Sequence, residues 1–200
     1  MNKNARSPLF AILFSVVLGT PLVQAEMSAT QPEHSFDAAQ ESFMKKDMKK
    51  ADADIRDAAD HIRQEGDKVG GDSKKSFHEL ADETDRLADD VGKGMVKSEH
   101  DLNKGFGKIE HGLARAWHDV ARDAKDAGND TTAALKKSAG SLGAAAKWSG
   151  AKIEEGTQKT VTAAKELPED TKVAADKVDS WFKDIGDGIN DVGQQISGKK

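Results

Sequence analysis

An eleven-residue spacing of uncharged residues organises most of this chain and constrains its fold more than any other feature. Three sets of positions, beginning at Ala58, Ile62 and Glu65, recur every eleven residues as far as Ala164. Only Glu65 among these 30 positions is charged, although 32% of the whole chain is charged. Steps of four, three and four residues give about 3.67 residues per turn, close to the α-helical value of about 3.6. The pattern therefore predicts an amphipathic α-helix with a nearly straight apolar stripe.

The repeat region is expected to span residues 47–167, because the next eleven-residue step after Thr157 falls on Pro168. A proline cannot donate the backbone hydrogen bond that a helix interior needs. An uninterrupted helix over this region would be roughly 180 Å long at about 1.5 Å per residue. Glycine clusters at 70–71, 92–94 and 105–107 are candidate bends that would shorten it. The spacing also excludes an ordinary heptad coiled coil.

The predicted fold is all-α, with one or more long amphipathic helices that are partly disordered in solution or folded into a helical hairpin. Thirteen glycines lie in the repeat region, and each costs about 0.8–1 kcal/mol relative to alanine in a helix interior. Hydrophobic residues make up only 36% of the chain, and many of them are alanines. An isolated helix of this kind is marginal, and a compact globular domain is not expected.

The N-terminus has the pattern of an export signal. Lys3 and Arg6 precede an apolar stretch, and small residues at 23–25 suit cleavage after Ala25. Residues 1–25 are therefore expected to be a signal peptide, and residues 26–46 a flexible N-terminus with a short helix that starts near Phe36. A retained membrane anchor is the alternative, but the apolar run is short for a span of about 20 residues. The expected location is the periplasm or the medium.

Charge and cysteine content limit the possible partners. Without the signal peptide the chain has 28 basic and 35 acidic residues and a net charge of −7. Nucleic acid is not an expected partner, because binding it requires a basic face. The chain has no cysteine, so non-covalent forces alone hold it together.

The stripe is the predicted binding face. Its large apolar side chains are Leu80, Leu87, Val91, Met95, Leu102, Phe106, Ile109, Leu113, Trp117, Val120, Leu135, Leu142, Ile153 and Val161. A C-terminal amphipathic helix is expected over residues 168–200, because proline and acids favour a first helical turn. Its predicted docking face consists of Val178, Trp181, Phe182, Ile185, Ile189, Val192 and Ile196.

No motif in the sequence predicts catalysis, a metal or a cofactor. The histidines His78, His100 and His111 share one repeat position, but none has a second histidine three or four residues away, the pairing that helical metal sites commonly use. The acidic stretch 184–191 lacks the register of a calcium loop. The glycines at 92–94 and 105–107 do not follow a strand, as a phosphate-binding loop would require. We expect no enzymatic activity, no metal and no cofactor.

The units Ala124-Lys125-Asp126, Ala164-Lys165-Glu166 and Ala174-Ala175-Asp176-Lys177 resemble group 3 late embryogenesis abundant (LEA) proteins. The period is also similar to that of the lipid-binding repeats of exchangeable apolipoproteins, perilipins and synucleins. The resemblance covers roughly residues 58–175 and lies in composition and period. It implies a chain that becomes helical on a membrane or on drying. The larger side chains of this stripe, such as Trp117 and Phe106, depart from the LEA pattern and favour a true binding or packing face.

Two functions follow as expectations. The first is a non-enzymatic protein that binds or protects membranes, lipids or client proteins during osmotic or desiccation stress of the cell envelope. The second is a structural protein that forms a helical scaffold or oligomer in the periplasm. Lysines near the stripe could approach an anionic membrane: Lys93, Lys97, Lys104, Lys108, Lys136, Lys137, Lys147 and Lys152.

Overall fold

A computed structural model describes residues 32–166 and 173–198 of the 200-residue chain. These ranges contain seven α-helices and no strand, so the all-α prediction is confirmed. The predicted signal peptide, residues 26–31 and the segment Pro168–Thr171 lie outside the described residues. The helices are α1 (Pro32–Met44), α2 (Met48–Lys68), α3 (Gly71–Gly92), α4 (Glu99–Asp126), α5 (Thr132–Ser149), α6 (Glu155–Lys165) and α7 (Ala175–Ser197).

The repeat region forms five separate helices, α2 to α6, so it is not one uninterrupted helix. Gly71, Gly94, Gly128 and Gly150 have φ values of +59° to +72° at the breaks, a conformation that glycine adopts at little cost. Bends were predicted at 70–71 and 92–94, and the chain turns at both places. The bend predicted at 105–107 is wrong, because Gly105 and Gly107 lie within α4.

Side-chain caps fix where two of the helices begin. Asp47 accepts a hydrogen bond from the backbone nitrogen of Lys50 at the start of α2. Ser98 accepts one from the backbone nitrogen of Asp101 at the start of α4. These bonds satisfy backbone donors that have no partner inside the helix.

The N-terminal helix differs from its predicted bounds. A helix was expected from about Phe36 to Lys50, but α1 runs from Pro32 to Met44 and a turn separates it from α2. Proline is favourable in the first helical turn, where its missing N–H is not needed. The turn includes Lys46, whose φ of 62° is incompatible with a continuous helix.

The long helix α4 lies at the centre of a bundle and contacts α1, α3, α5 and α7. Its neighbours α3 and α5 run antiparallel to it: Leu87 and Phe77 of α3 meet Gly105 and Trp117 of α4, respectively. The pair α2 and α3 is also antiparallel, since Arg56 pairs with Asp89 while Arg63 pairs with Asp85 at 2.6 Å. The chain is therefore a bundle of short antiparallel helices instead of an extended stripe.

Aromatic residues form the largest contacts in the core. The rings of Phe36 and Phe106 stack with centroids 4.4 Å apart, and Trp148 meets Phe106 edge-on at 5.2 Å. Phe77 and Trp117 make a second edge-to-face pair at 4.7 Å. All five rings are buried. The expectation that the chain lacks a compact core is therefore wrong.

Small residues let this core close with few large side chains. A β-carbon placed on Gly66 would lie 2.7 Å from the β-carbon of Phe77, and one on Gly188 would lie 2.9 Å from Cδ2 of Leu142. At these positions glycine permits helices to approach more closely than any other residue would. Glycine weakens an isolated helix, but in this bundle it allows the close packing of neighbouring helices.

Candidate interaction surfaces

The predicted binding face lies mostly inside the bundle. Nine of its fourteen residues are buried and contribute to the core: Val91, Leu102, Phe106, Ile109, Leu113, Trp117, Leu135, Leu142 and Val161. Four are half-buried, namely Leu80, Leu87, Val120 and Ile153, and only Met95 is exposed. In the folded chain, the partner of the stripe is therefore the protein's own set of helices.

The predicted C-terminal docking face is in contact with the rest of the chain. Trp181, Ile185, Ile189 and Val192 of α7 are buried, whereas Val178, Phe182 and Ile196 are half-buried. Helix α7 packs against α4, α5 and α6. Thr160 of α6 donates a hydrogen bond of 2.8 Å to the carboxylate of Asp184.

Two histidines of α4, His111 and His118, attach α7 to α4, a role that the sequence pattern did not predict. Nε2 of His111 lies 2.9 Å from the carbonyl oxygen of Ile189, and Nε2 of His118 lies 3.0 Å from that of Phe182. A carbonyl oxygen can only accept, so each Nε2 carries the donated proton. The seven-residue spacing of the two histidines, two helical turns, was the available signal. It indicated one shared face but not the helix that the face meets.

Glycines on α7 make room for these imidazoles. A β-carbon on Gly193 would lie 2.7 Å from Nε2 of His111, and one on Gly186 would lie 3.2 Å from Nε2 of His118. Burial lowers the pKa of His111, although its hydrogen bond to Ile189 partly opposes that shift, and Arg115 lowers the pKa further. Burial therefore favours the neutral form of the His111 imidazole in the docked bundle.

Glu110 of α4 is a buried carboxylic acid, which the sequence pattern also did not predict. Its side chain is 2% exposed, and burial raises its pKa to about 8 despite a hydrogen bond with Ser141. Oε1 of Glu110 has no hydrogen-bond partner among the described residues. At neutral pH the folded protein thus holds Glu110 protonated. The eleven-residue repeat gave some indication that position 110 is buried. Ala88, Ala121 and Thr132, which lie at multiples of eleven residues from Glu110, are small and buried.

An open groove of about 580 Å³ lies between α5, α6 and the start of α1. Glu33, Lys147, Lys165 and Glu166 provide charged groups in its lining, together with Val161 and other small or apolar residues. Lys147 is already engaged, because it pairs with Asp37 at 3.0 Å and lies over the ring of Trp148. Lys147 also pairs across the groove with Glu33 at 3.4 Å, so the described charged groups of the lining are partly paired with one another.

Several lysines predicted to flank a membrane-facing stripe have partners within the protein. Lys137 pairs with Glu65 and lies 4.2 Å from the ring centroid of Trp117. Lys93 pairs with Asp89 at 2.7 Å. These two lysines are engaged by carboxylates of the protein itself, so they do not form one free row along an exposed apolar face.

Lysines also lie close in sequence to the most exposed apolar side chains of the described residues, and Lys93 and Lys97 are among them. Met44 is 59% exposed at the end of α1, and Met95 is 56% exposed between α3 and α4. Residues 44–50 and 93–97, which we call the Met/Lys end, contain three methionines and six lysines with a single carboxylate, that of Asp47.

The described residues show neither a metal centre nor a membrane-spanning helix. Within 32–166 and 173–198, histidines and carboxylates do not gather in threes at positions suited to a metal ion. The acidic stretch 184–191 lies within α7 and is helical. Across the same ranges, every helix is too short or too polar to cross a bilayer.

Comparisons with known proteins found no match to a protein family, to a curated protein or to a solved structure.

Proposed function

We propose that this protein is an exported, non-enzymatic binding protein that protects membranes or client proteins in the cell envelope under osmotic or drying stress. The observation that carries the proposal is the burial of the repeat's apolar face, which is divided among five helices, inside a bundle whose last helix, α7, covers part of it. In the resting state the stripe is shielded. On a membrane or an unfolded client, separation of α7 would free both its own apolar face and the surface of α4 beneath it.

The contacts of α7 suit reversible attachment. Two imidazole–carbonyl hydrogen bonds and an exposed pair between Lys125 and Asp179 join α7 to α4. A neutral hydrogen bond contributes about 0.5–1.5 kcal/mol, and an exposed ion pair contributes less than about 1 kcal/mol. Burial of Trp181, Ile185 and Val192 supplies most of the stability of the attachment, and a lipid or client surface can replace that burial.

Packing at the glycine contacts favours the second candidate, a protein that acts as a permanently folded interaction module. The close fits at Gly66, Gly107 and Gly188 are specific to this arrangement of helices. A chain that works only in an extended state has no need of them. The two candidates differ in whether the bundle opens on its target.

Cross-linking α7 to α4 separates the candidates. The chain has no cysteine, so the variant K125C/D179C can be joined specifically by a short bis-maleimide across an ion pair whose atoms lie 2.7 Å apart. Residues 26–200 of the wild type, of the cross-linked variant and of its unlinked form are mixed with vesicles that contain brominated lipid. Trp117, Trp148 and Trp181 are all buried and report contact with the acyl chains through quenching of their fluorescence.

Opening predicts quenching in the wild type and in the unlinked variant, and its loss after cross-linking. If wild-type fluorescence is unchanged at saturating lipid, the stripe stays inside the bundle and the permanently folded module is the better account. The unlinked variant controls for the two substitutions, because it lacks the ion pair but leaves α7 free.

A further inference from the structure

Two methionines are the large apolar side chains that the described chain leaves exposed. Met44 ends α1 and Met95 lies in the connection from α3 to α4, with 59% and 56% of their surfaces accessible. Met48 and Val96 lie beside them in sequence and are half-buried against the core. Each exposed methionine is thus the outer part of a segment that is anchored in the bundle.

The two segments lie at the same end of the bundle. A β-carbon on Gly92, the last residue of α3, would lie 3.2 Å from the carboxylate of Asp52 in the first turns of α2. Gln40 of α1 donates hydrogen bonds to Glu99 at 2.9 Å and to Asn103 at 3.0 Å in the first turns of α4. The end of α1, the start of α2, the end of α3 and the start of α4 therefore meet there.

This end is basic in a chain whose net charge is −5. Six lysines and one carboxylate lie within residues 44–50 and 93–97, and that carboxylate, Asp47, caps α2. Acids also flank these residues, and several are engaged within the protein: Glu41 pairs with Lys45, Asp52 and Asp89 pair with Arg56, Asp89 also pairs with Lys93, and Glu99 accepts a hydrogen bond from Gln40. Lys46, Lys49 and Lys50 are exposed and make no ion pair within 4.0 Å in the described part of the chain.

We infer that the Met/Lys end binds the surface of an anionic phospholipid bilayer. Methionine is flexible and apolar, and it can enter the boundary between headgroups and acyl chains without a shaped pocket. The lysines extend their ammonium groups to the phosphates while their stems remain in the apolar region. An acidic protein groove would require a fixed geometry, whereas a bilayer accepts short segments that end in long, flexible side chains.

This inference rests on the proposed membrane function, but it concerns first contact and not opening. The Met/Lys end lies on α1, α2 and the connection between α3 and α4, so it is available while α7 remains docked. The closed bundle binds first through this end, and the lipid is then positioned to receive the stripe.

The test compares two triple variants of residues 26–200 that remove equal charge. K46Q/K49Q/K50Q changes the Met/Lys end, and K108Q/K152Q/K159Q removes three exposed lysines elsewhere. Lysine and glutamine have similar helix propensities, and circular dichroism and melting temperature verify that both variants fold. Binding is measured by co-sedimentation with vesicles of equimolar phosphatidylglycerol and phosphatidylcholine, and with vesicles of pure phosphatidylcholine.

We expect the wild type to bind the anionic vesicles and not the neutral ones. Loss of three lysines at the membrane should weaken binding on the order of 100-fold, because each contributes about 1 kcal/mol near an anionic surface. The control triple should lose less than about threefold, since its lysines lie away from the bilayer. M44S/M95S should retain charge attraction at low salt and lose the fraction of binding that survives high salt.

Four outcomes would overturn the inference. These are absence of wild-type binding, equal loss in both triple variants, equal binding to neutral vesicles, and a change in monomer–dimer equilibrium in M44S/M95S that identifies a second copy as the occupant. A failure of α7 to separate from the bundle gives a different result from a failure of the Met/Lys end to bind lipid. If the K125C/D179C cross-linked protein binds anionic vesicles like the wild type and neither shows tryptophan quenching, the Met/Lys end docks although the bundle stays closed.

Discussion

Gly107 of α4 lies directly against Ser149 of α5: a β-carbon at residue 107 would be 2.9 Å from the β-carbon of Ser149 and 3.1 Å from its backbone nitrogen. Backbone atoms cannot move aside as the end of a side chain can. The contact therefore sets the distance between the two helices at this level, where Phe106 and Trp148 also meet.

The substitution Gly107→Ala should destabilise the protein by about 1–3 kcal/mol, because the added methyl forces α4 and α5 apart. Gly140→Ala is the matched control. Gly140 also lies within a helix, α5, but a β-carbon there would have no neighbour within 4 Å. The control should gain up to about 1 kcal/mol from helix propensity. Urea unfolding measures both changes, and a stabilised Gly107→Ala would contradict the close contact.

Removal of the Phe36 ring should cost roughly 3–5 kcal/mol, the usual range for a buried phenylalanine. Phe36 is fully buried and stacks on Phe106, so Phe36→Ala leaves a cavity between α1 and α4. Met44→Ala on the same helix should change stability by less than about 0.5 kcal/mol, because Met44 is mostly exposed. Equal, small effects in both variants would show that α1 is not part of the cooperative core.

Glu110 should make the protein less stable as the pH rises. Its pKa is about 8 in the folded state and 4.5 as the reference, so between these values the folded state holds a proton that the unfolded chain has lost. The stability linked to the proton on Glu110 is fully present below about pH 4.5 and is lost as the pH rises through 8. Between these values the free energy of unfolding falls by up to about 1.4 kcal/mol per pH unit. Glu110→Gln should remove this slope and be the more stable protein at pH 9.

The control for that substitution is Glu83→Gln, which changes an exposed glutamate on α3 and should retain the wild-type slope. Free energies of unfolding are taken from urea titrations at intervals from pH 5 to pH 9. A Glu110→Gln variant that is less stable than the wild type at pH 9 would mean that the carboxylate is ionised and paired in the folded protein.

His111 should make the protein less stable as the pH falls, the opposite pH dependence to that of Glu110. Burial lowers its pKa in the folded state, so just below the ordinary value of about 6.5 the unfolded chain binds the extra proton. The stabilising effect of the neutral imidazole is present above that value and falls as the pH drops through it. Hydrogen exchange of the α7 amides should accelerate at pH 5.5 relative to pH 7.5, after correction for intrinsic exchange.

His111→Gln should remove this acid-induced acceleration, because glutamine can still donate to the carbonyl oxygen of Ile189 but does not titrate in this range. His34→Gln provides the control, since His34 is exposed on α1 and remote from α7 in sequence. Identical acceleration in the wild type and in His111→Gln would assign the acid sensitivity to another group.

Periodicity predicted the helices and the buried side of each, but not the number of helices or their partners. The eleven-residue pattern identified Leu102, Phe106, Ile109 and Leu113 as one apolar face, and all four are buried. The pattern describes one helix at a time, so it could not distinguish a stripe that meets lipid from a stripe that meets another part of the same chain.

The structural role of each glycine was the hardest feature to predict from the sequence. Gly71 and Gly94 have positive φ and lie at helix boundaries, whereas Gly105 and Gly107 lie inside a helix and allow close contact with a neighbouring helix. Both uses depend on the absent β-carbon, and the difference lies in tertiary contacts that a local pattern does not contain. For the same reason, the local pattern could not predict that α7 covers His111 or that α5 covers Glu110.

The hydrogen bond between His111 and Ile189 closes a loop of 78 residues, whereas the one between Ser138 and Ala114 closes a loop of 24. Loop-closure entropy makes the longer connection more costly by roughly 1 kcal/mol. Contacts distant in sequence are generally acquired late in folding, so α4 and α5 should associate before α7 arrives. A species with α7 undocked would then form during the folding of every molecule. The open state that we propose on a membrane would have the same arrangement as this folding species.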